Sequence, residues 1–197
     1  MKKLQLIAAA IALLMTGCNE DAPFTMKDKA GNVYKTVMIG NQVWMAQNLN
    51  VETEESWCYF DNPANCEKYG RLYTWSAAKK ACPEGWHLPD TTEWNVLIQT
   101  AGGGEIAGGK LKSTSGWDED KGESGNGTDD FGFSALPAGS RGIYAGFTLK
   151  GGVASSWTST GTSRYYAYSM CLNYNYATAK LGVSNKNYGF SVRCVKD

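Results

Sequence analysis

Histidine is almost missing from this chain. His87 is the only one in 197 residues, which excludes metal centres built on two or more imidazoles. Cysteines occur, but never at C-x-x-C spacing, so the common all-cysteine zinc arrangements are excluded as well. A surplus of one charge is also missing. Nineteen basic and nineteen acidic residues balance, scattered without a basic tract, which removes the electrostatic footprint of a nucleic-acid-binding protein. Beyond the first residues no apolar run is long enough to cross a bilayer. What the chain has in quantity is Gly (23), Tyr (11) and Trp (7). Many turns and few helices follow, as in exported β-rich domains.

The N-terminus reads as an address. Lys2 and Lys3 precede an apolar run from Leu4 to Met15, interrupted only by Gln5: the charged and hydrophobic regions of a signal peptide. The run ends in "MTGC", with Thr16 and Gly17 before Cys18. This resembles a bacterial lipobox, which implies cleavage before Cys18 and diacylglycerol on its thiol. Residues 1–17 are then a lipoprotein signal peptide, 18–30 a lipidated tether and 31–197 the folded domain. Several acyl chains on one residue anchor durably, at roughly 0.8 kcal/mol per buried methylene. Asn19 directly after the cysteine implies sorting to the outer membrane, and Glu20–Asp21 resemble signals that send some lipoproteins to the cell surface. Removing 17 of 197 residues leaves 180, the size of one domain.

Five cysteines remain: Cys58, Cys66, Cys82, Cys171 and Cys194. In an oxidising compartment they are disulfide material first. Their odd number leaves at least one free or paired outside the chain.

Along the chain, Val33, Lys35, Val37 and Ile39 alternate with Tyr34, Thr36 and Met38, and Gly40–Asn41 make the two-residue turn of a hairpin. Residues 51–71 read as irregular, with Cys58 and Cys66 bracketing "YFDNPAN", a loop that a bridge would pin. "LYTWSAAKKAC" predicts a first helix, stopped at Pro83–Gly85. "LPDTTEWNVLIQTAGGG" predicts a second. Asp90 and Glu93 form a capping box, Trp94, Leu97, Ile98 and Ala101 fall on one stripe, and Gly102–Gly104 end it. Residues 113–152 read as a long ordered loop region, because aromatics recur through it. Alternation returns after Val153, and in "YGFSVRCVK" Phe190, Val192 and Cys194 share one face opposite Ser191 and Arg193. Two helices near the front and strands at both ends make an α+β domain.

"CPEGWHLPDTTEW" places Cys82, His87, Asp90 and Glu93 within thirteen positions. A nucleophilic pair needs thiol and imidazole in hydrogen-bond reach, with a third group orienting the imidazole. Here the acids serve as a helix cap and the thiol is disulfide material. The stretch reads as scaffold.

"IGNQVWMAQNLN", "YGRLYTWSAAKKACPEGWHLPDTTEW", "GKLKSTSGW", "NGTDDFGFSALPAG" and "YGFSVRCVKD" together resemble the Fibrobacter succinogenes major paralogous (FISUMP) domain, from about Gly31 to Asp197. The resemblance implies a C-type-lectin-like fold, with N- and C-terminal strands adjacent and a long loop region. It also implies a bridge from the helix ending at Cys82 to Cys194 on the last strand. Cys58–Cys66 is then the second bridge and Cys171 the remaining thiol, a buried inert one. "HLPDTTEWNVL" and "YGFSVRCV" are also similar to formylglycine-generating enzymes, an alternative that needs a reactive cysteine pair, here Cys171 and Cys194. Shared fold does not import chemistry.

The expected function is a non-catalytic, lipid-anchored surface module binding carbohydrate or a protein partner, with a purely structural coat or adhesion role as alternative. Trp117, Tyr144 and Phe147 are candidates to stack on a ligand and Arg141 to fork onto a carboxylate. No cofactor is expected. Calcium remains a weak candidate, with Asp118, Glu119, Asp120, Asn126, Asp129 and Asp130 in a Gly-rich loop. However, the Glu-Pro-Asn and Trp-Asn-Asp motifs of sugar-binding C-type lectins are absent, and "NGTDD" equally suits Asx turns.

Overall fold

The computed structural model describes residues 25–144 and 146–197; the expected signal peptide, the expected lipidation at Cys18 and the first part of the expected tether lie outside them. Strands β1 (Thr25–Lys27), β2 (Val33–Ile39), β3 (Gln42–Met45) and β4 (Ser56–Trp57) lead into helix α1 (Pro63–Tyr69). Next come β5 (Leu72–Tyr73), α2 (Trp75–Ala81), β6 (Trp86–His87), α3 (Thr91–Thr100) and α4 (Ala107–Leu111). The middle carries four two-residue strands: β7 (Glu119–Asp120), β8 (Glu123–Ser124), β9 (Ser140–Arg141) and β10 (Phe147–Thr148). Three long strands follow, β11 (Val153–Gly161), β12 (Tyr166–Asn173) and β13 (Ala179–Asn185), and β14 (Val195–Lys196) closes the chain. The domain is therefore mixed α+β, with short helices and antiparallel sheets.

One sheet runs β1-β2-β3-β14-β6. Ile39 pairs with Gln42 across the expected Gly40–Asn41 turn, and Val195 lies opposite both Trp44 and His87. First and last strands thus share a sheet. The ordered fold begins before Gly31, because Thr25, Met26 and Lys27 pair with Lys35, Tyr34 and Val33 and Met26 is buried. Residues 25–30 belong to the domain rather than to a tether. The second sheet is β11-β12-β13.

Both faces of these strands are used, at different points along their length. Ile39, Trp44, Met170 and Leu172 join Trp94, Leu97, Ile98 and Ala101 of the α3 region in one core. Tyr34, Met45 and Ala167, of opposite parity on the same strands, join Trp157, Phe190, Val192 and Cys194 in a second. Strand twist carries each strand from one core to the other. This is why the single-face alternation expected for β2 fails: Val33 and Met38 end up exposed.

The expected helices form, α3 with its capping box intact: the Asp90 carboxylate accepts from the Thr92 and Glu93 amides, and Glu93 Oε2 accepts from the Asp90 amide at 2.8 Å. Two further helices correct the expectation of two. In α1 the Asn62 side chain caps the Ala64 amide and Pro63 opens the helix, a position where its missing N–H costs nothing. In α4 two glycines let the helix meet the backbone of Ala177 and Thr178, where a Cβ on Gly108 would collide. That contact overrides poor helix propensity.

The face of the last segment opposite Cys194 is also buried. Arg193 is 1% exposed and has no carboxylate within 4.0 Å among the described residues. Instead its guanidinium donates to Asn48 Oδ1 and Ser134 O at 2.8 Å, and to Phe133 O; it also lies 4.3 Å from the Phe133 ring centroid. Burial pulls its pKa down to about 9, against a smaller opposing pull from Asp129. It stays charged at neutral pH. The cation fastens the loop region, through residues 133–134, to the terminal strand.

Candidate functional site

The stretch from Cys82 to Trp94 is joinery. Cys82, the C-cap of α2, is bonded to Cys194 just before β14. His87 Nδ1 lies 2.5 Å from Asp197 Oδ1 and its Nε2 2.7 Å from Glu93 Oε1. Partial burial works against the imidazolium, but the two carboxylate contacts outweigh it and the pKa is raised. His87 therefore clasps β6, the start of α3 and the terminal residue.

A different surface has the geometry to hold a ligand. The Cys58–Cys66 disulfide pins a tight loop onto α1, in which Phe60 and Asp61 both take left-handed backbone, at φ 54 and 52. That conformation is costly for residues with a Cβ. It leaves Phe60 67% exposed while Tyr59 is buried beneath it. Phe60 and Phe147 sit edge-on and tilted around Tyr59, with centroids 4.9 and 5.3 Å from it and 5.5 Å from each other.

Phe147 stands on the β9–β10 ladder, paired with Arg141. The ladder seats closely because Gly139, at φ 71, has no Cβ: one would come within 2.8 Å of Tyr59 Cε2. Backbone hydrogen bonds between Arg141 and Gly189, at 3.0 and 2.8 Å, fix its base. The Arg141 guanidinium lies 3.8 Å from the Trp57 ring centroid and 6.0 Å from that of Phe147. Tyr144, at the connection between the two strands, is 93% exposed. Lys150 lies 5.3 Å from the Tyr59 ring. An aromatic and cationic face results, built from the disulfide loop and the β9–β10 hairpin.

The family model described as the Fibrobacter succinogenes major domain matches residues 37–196, more than three quarters of the chain. The chain belongs to the Fibrobacter succinogenes major domain family. No curated protein and no solved structure matches it.

Within this Fibrobacter succinogenes major domain, three of the four expected ligand residues, Arg141, Tyr144 and Phe147, share the face just described. The fourth does not. Trp117 is 5% exposed within the first core, and its indole N–H donates to Ser113 Oγ and Ala135 O. It packs the loop region from inside. The acidic loop also disperses. The Asp118 backbone bonds to Gly125 and Gly151, Glu119 and Asp120 stand on the β7–β8 ladder, and Asn126 accepts from the Trp117 amide. Asp129 accepts from the Ser134 amide and hydroxyl, and Asp130 faces Lys110 at 3.9 Å. Among the described residues no three His, Cys, Asp or Glu side chains are grouped to hold a metal. Cys171 is free and half-buried, with its thiol pKa raised by burial against a weaker effect from Ser155. The two late cysteines do not pair with each other, since Cys194 is bonded to Cys82.

Sequence reasoning missed Trp57, Phe60 and Lys150. The available signal was the bracketing of "YFDNPAN" by two cysteines, which pins an aromatic pair where an ordinary turn would place Gly or Asn.

Proposed function

We propose that this domain is a non-catalytic binding module, held at the outer membrane through a lipidated Cys18 and presented at the bacterial surface. On this reading it engages carbohydrate or a protein partner through the face around Phe60, Arg141, Tyr144 and Phe147. The observation that carries the reading is Phe60. A large apolar side chain is held in solvent on left-handed backbone, two costs at one position, and such strain concentrates where a ligand contact repays it. A C-type-lectin-like architecture is part of the proposal. It is supported by β14 pairing with β3 of the N-terminal hairpin and by the bridge from the end of α2 to the last segment. The disulfide engagement of Cys194 and the elevated thiol pKa of Cys171 favour binding over cysteine chemistry.

The test is a glycan and cell-wall binding screen with the full chain, with and without calcium, comparing wild type with Phe60→Ala and Tyr144→Ala. Retention on at least one ligand, weakened by both substitutions without loss of fold, is expected. Binding untouched by either substitution sinks this face as the site.

A further inference from the structure

Arg141 is the side chain on this face with the most unspent bonding capacity. A guanidinium carries five N–H donors in one plane and no acceptor. Through its backbone Arg141 hydrogen-bonds to Gly189. Among the described residues its side chain donates to no protein acceptor, and no carboxylate lies within 4.0 Å. What holds it is the Trp57 ring at 3.8 Å. A separation that short fits a flat stack and is too close for N–H groups aimed down at the ring. A flat stack fixes the plane of a guanidinium and leaves its edge unused.

Contrast the other inward-facing cations. Arg193 is used up on Asn48, Phe133 and Ser134, and Lys112 on the carbonyls of Asn173, Tyr174 and Tyr176. Arg141 alone of these three is oriented and unpaired. A planar, pre-oriented fork matches a planar two-oxygen acceptor, a carboxylate, better than any neutral group.

The surroundings narrow the ligand further. Phe60 stands 67% exposed beside Phe147, ring centroids 5.5 Å apart, an open face across which an extended polymer can lie. Phe60 and, on the β9–β10 connection, Tyr144 offer exposed rings; Phe147 links Phe60 to the fork, 5.5 Å from the one and 6.0 Å from the other, and sugar rings pack their C–H faces on aromatic surfaces. Lys150 adds a second cation, its ammonium 3.4 Å from the Asn65 side chain and on the rim of the same aromatic group.

We propose that this face binds a uronic-acid-bearing polysaccharide, with a sugar carboxylate forked in the plane of Arg141 and neighbouring rings laid on Phe60 and Tyr144. The proposal rests on the binding-module reading and names its ligand class. Arg141 sets specificity for the acid, while the aromatics supply affinity for any glycan.

The experiment is affinity electrophoresis of the full chain through gels containing polygalacturonate, its methyl ester, a neutral galactan or a sulfated polysaccharide. Wild type is retarded most by polygalacturonate. Arg141→Gln weakens that retardation about tenfold or more, and Arg141→Lys, which keeps charge but loses the fork, weakens it nearly as far. Neither variant changes the melting temperature by more than a degree or two, because the backbone bonds to Gly189 remain. Tyr144→Ala weakens all arms alike. Equal retardation by ester and acid, or an unaffected Arg141→Gln, overturns the carboxylate assignment and leaves the binding module standing if Tyr144→Ala still weakens retention. Equal retardation by the sulfated polymer overturns the preference for a planar acid. No retardation in any arm overturns this proposal and the carbohydrate reading together.

Discussion

Two disulfides of very different span stabilise this domain, and their removal should separate by a calculable amount. Cys82 and Cys194 are 112 positions apart, Cys58 and Cys66 only 8. The chain-entropy relation assigns the long closure about 4.8 kcal/mol at 25 °C and the short one about 2.6 kcal/mol. Packing leaves the gap standing, because each bridge has one buried sulfur, that of Cys194 in the second core and that of Cys66 at 6% exposure. Cys82→Ala/Cys194→Ala should therefore lose about 2 kcal/mol more than Cys58→Ala/Cys66→Ala. Urea unfolding of both double variants and wild type at one pH, extrapolated to water, measures this. If the short-loop variant lost as much stability as the long-loop one, the claim that the long bridge is the principal staple would be refuted.

Arg193→Met should destabilise by about 3 kcal/mol, since three acceptors, the buried Asn48 Oδ1 and Phe133 O and the part-buried Ser134 O, lose their donor at about 1 kcal/mol each; a change under about 0.5 kcal/mol in urea unfolding contradicts that role. The His87 clasp has a pH signature. Its folded pKa lies above the ordinary 6.5, so its contribution is whole below that value and is lost as pH rises through the folded pKa. With the side chain 42% exposed, the effect stays under about 1 kcal/mol, and His87→Gln should flatten the wild-type decline measured by melting at pH 5.5 to 8.5. Phe60→Gly should relieve left-handed strain of about 1 kcal/mol, leaving stability equal or higher while ligand retention falls. A loss of stability above about 1 kcal/mol would mean that Phe60 serves the fold rather than a ligand. Peptide mapping without reductant should recover Cys58–Cys66 and Cys82–Cys194 as linked peptides and Cys171 as the alkylated thiol among these five. Alkylation of Cys82 and Cys194 in native protein would contradict the long bridge.

Local rules carried well where local chemistry decides. Asp90 and Glu93 cap α3, and the stripe from Trp94 to Ala101 is buried, because capping and helical periodicity need only a dozen residues. Gly40–Asn41 turns the hairpin for the same reason. Legibility failed where partners come from far along the chain. Trp117 is indistinguishable by sequence from an exposed loop aromatic; its burial depends on Ser113, Ala135 and the α3 core. Nothing adjacent to Arg193 announces that Asn48 and residues 133–134 will accept its N–H hydrogen bonds. The α4 helix looks too rich in glycine until the backbone at 177–178 arrives against it. Of the candidate face, Arg141, Tyr144 and Phe147 lie in the loop-rich region that the sequence marks out, while Trp57 comes to it on β4, paired with Leu72, and Phe60 on the loop that the Cys58–Cys66 bridge pins to α1.

The long bridge has a mechanical consequence. Pulling Thr25 away from Asp197 would first strip the three-residue β1 from β2, but the polypeptide between Cys82 and Cys194 cannot be drawn out while their bond holds. The releasable chain is 33 residues up to Cys58, 16 from Cys66 to Cys82 and 3 past Cys194. At about 3.5 Å per residue extension stops near ~180 Å, against ~600 Å for the same span without cross-links. The loop region that carries the β9–β10 hairpin lies wholly inside the shielded segment, so a domain tugged at its ends keeps that hairpin out of the load path.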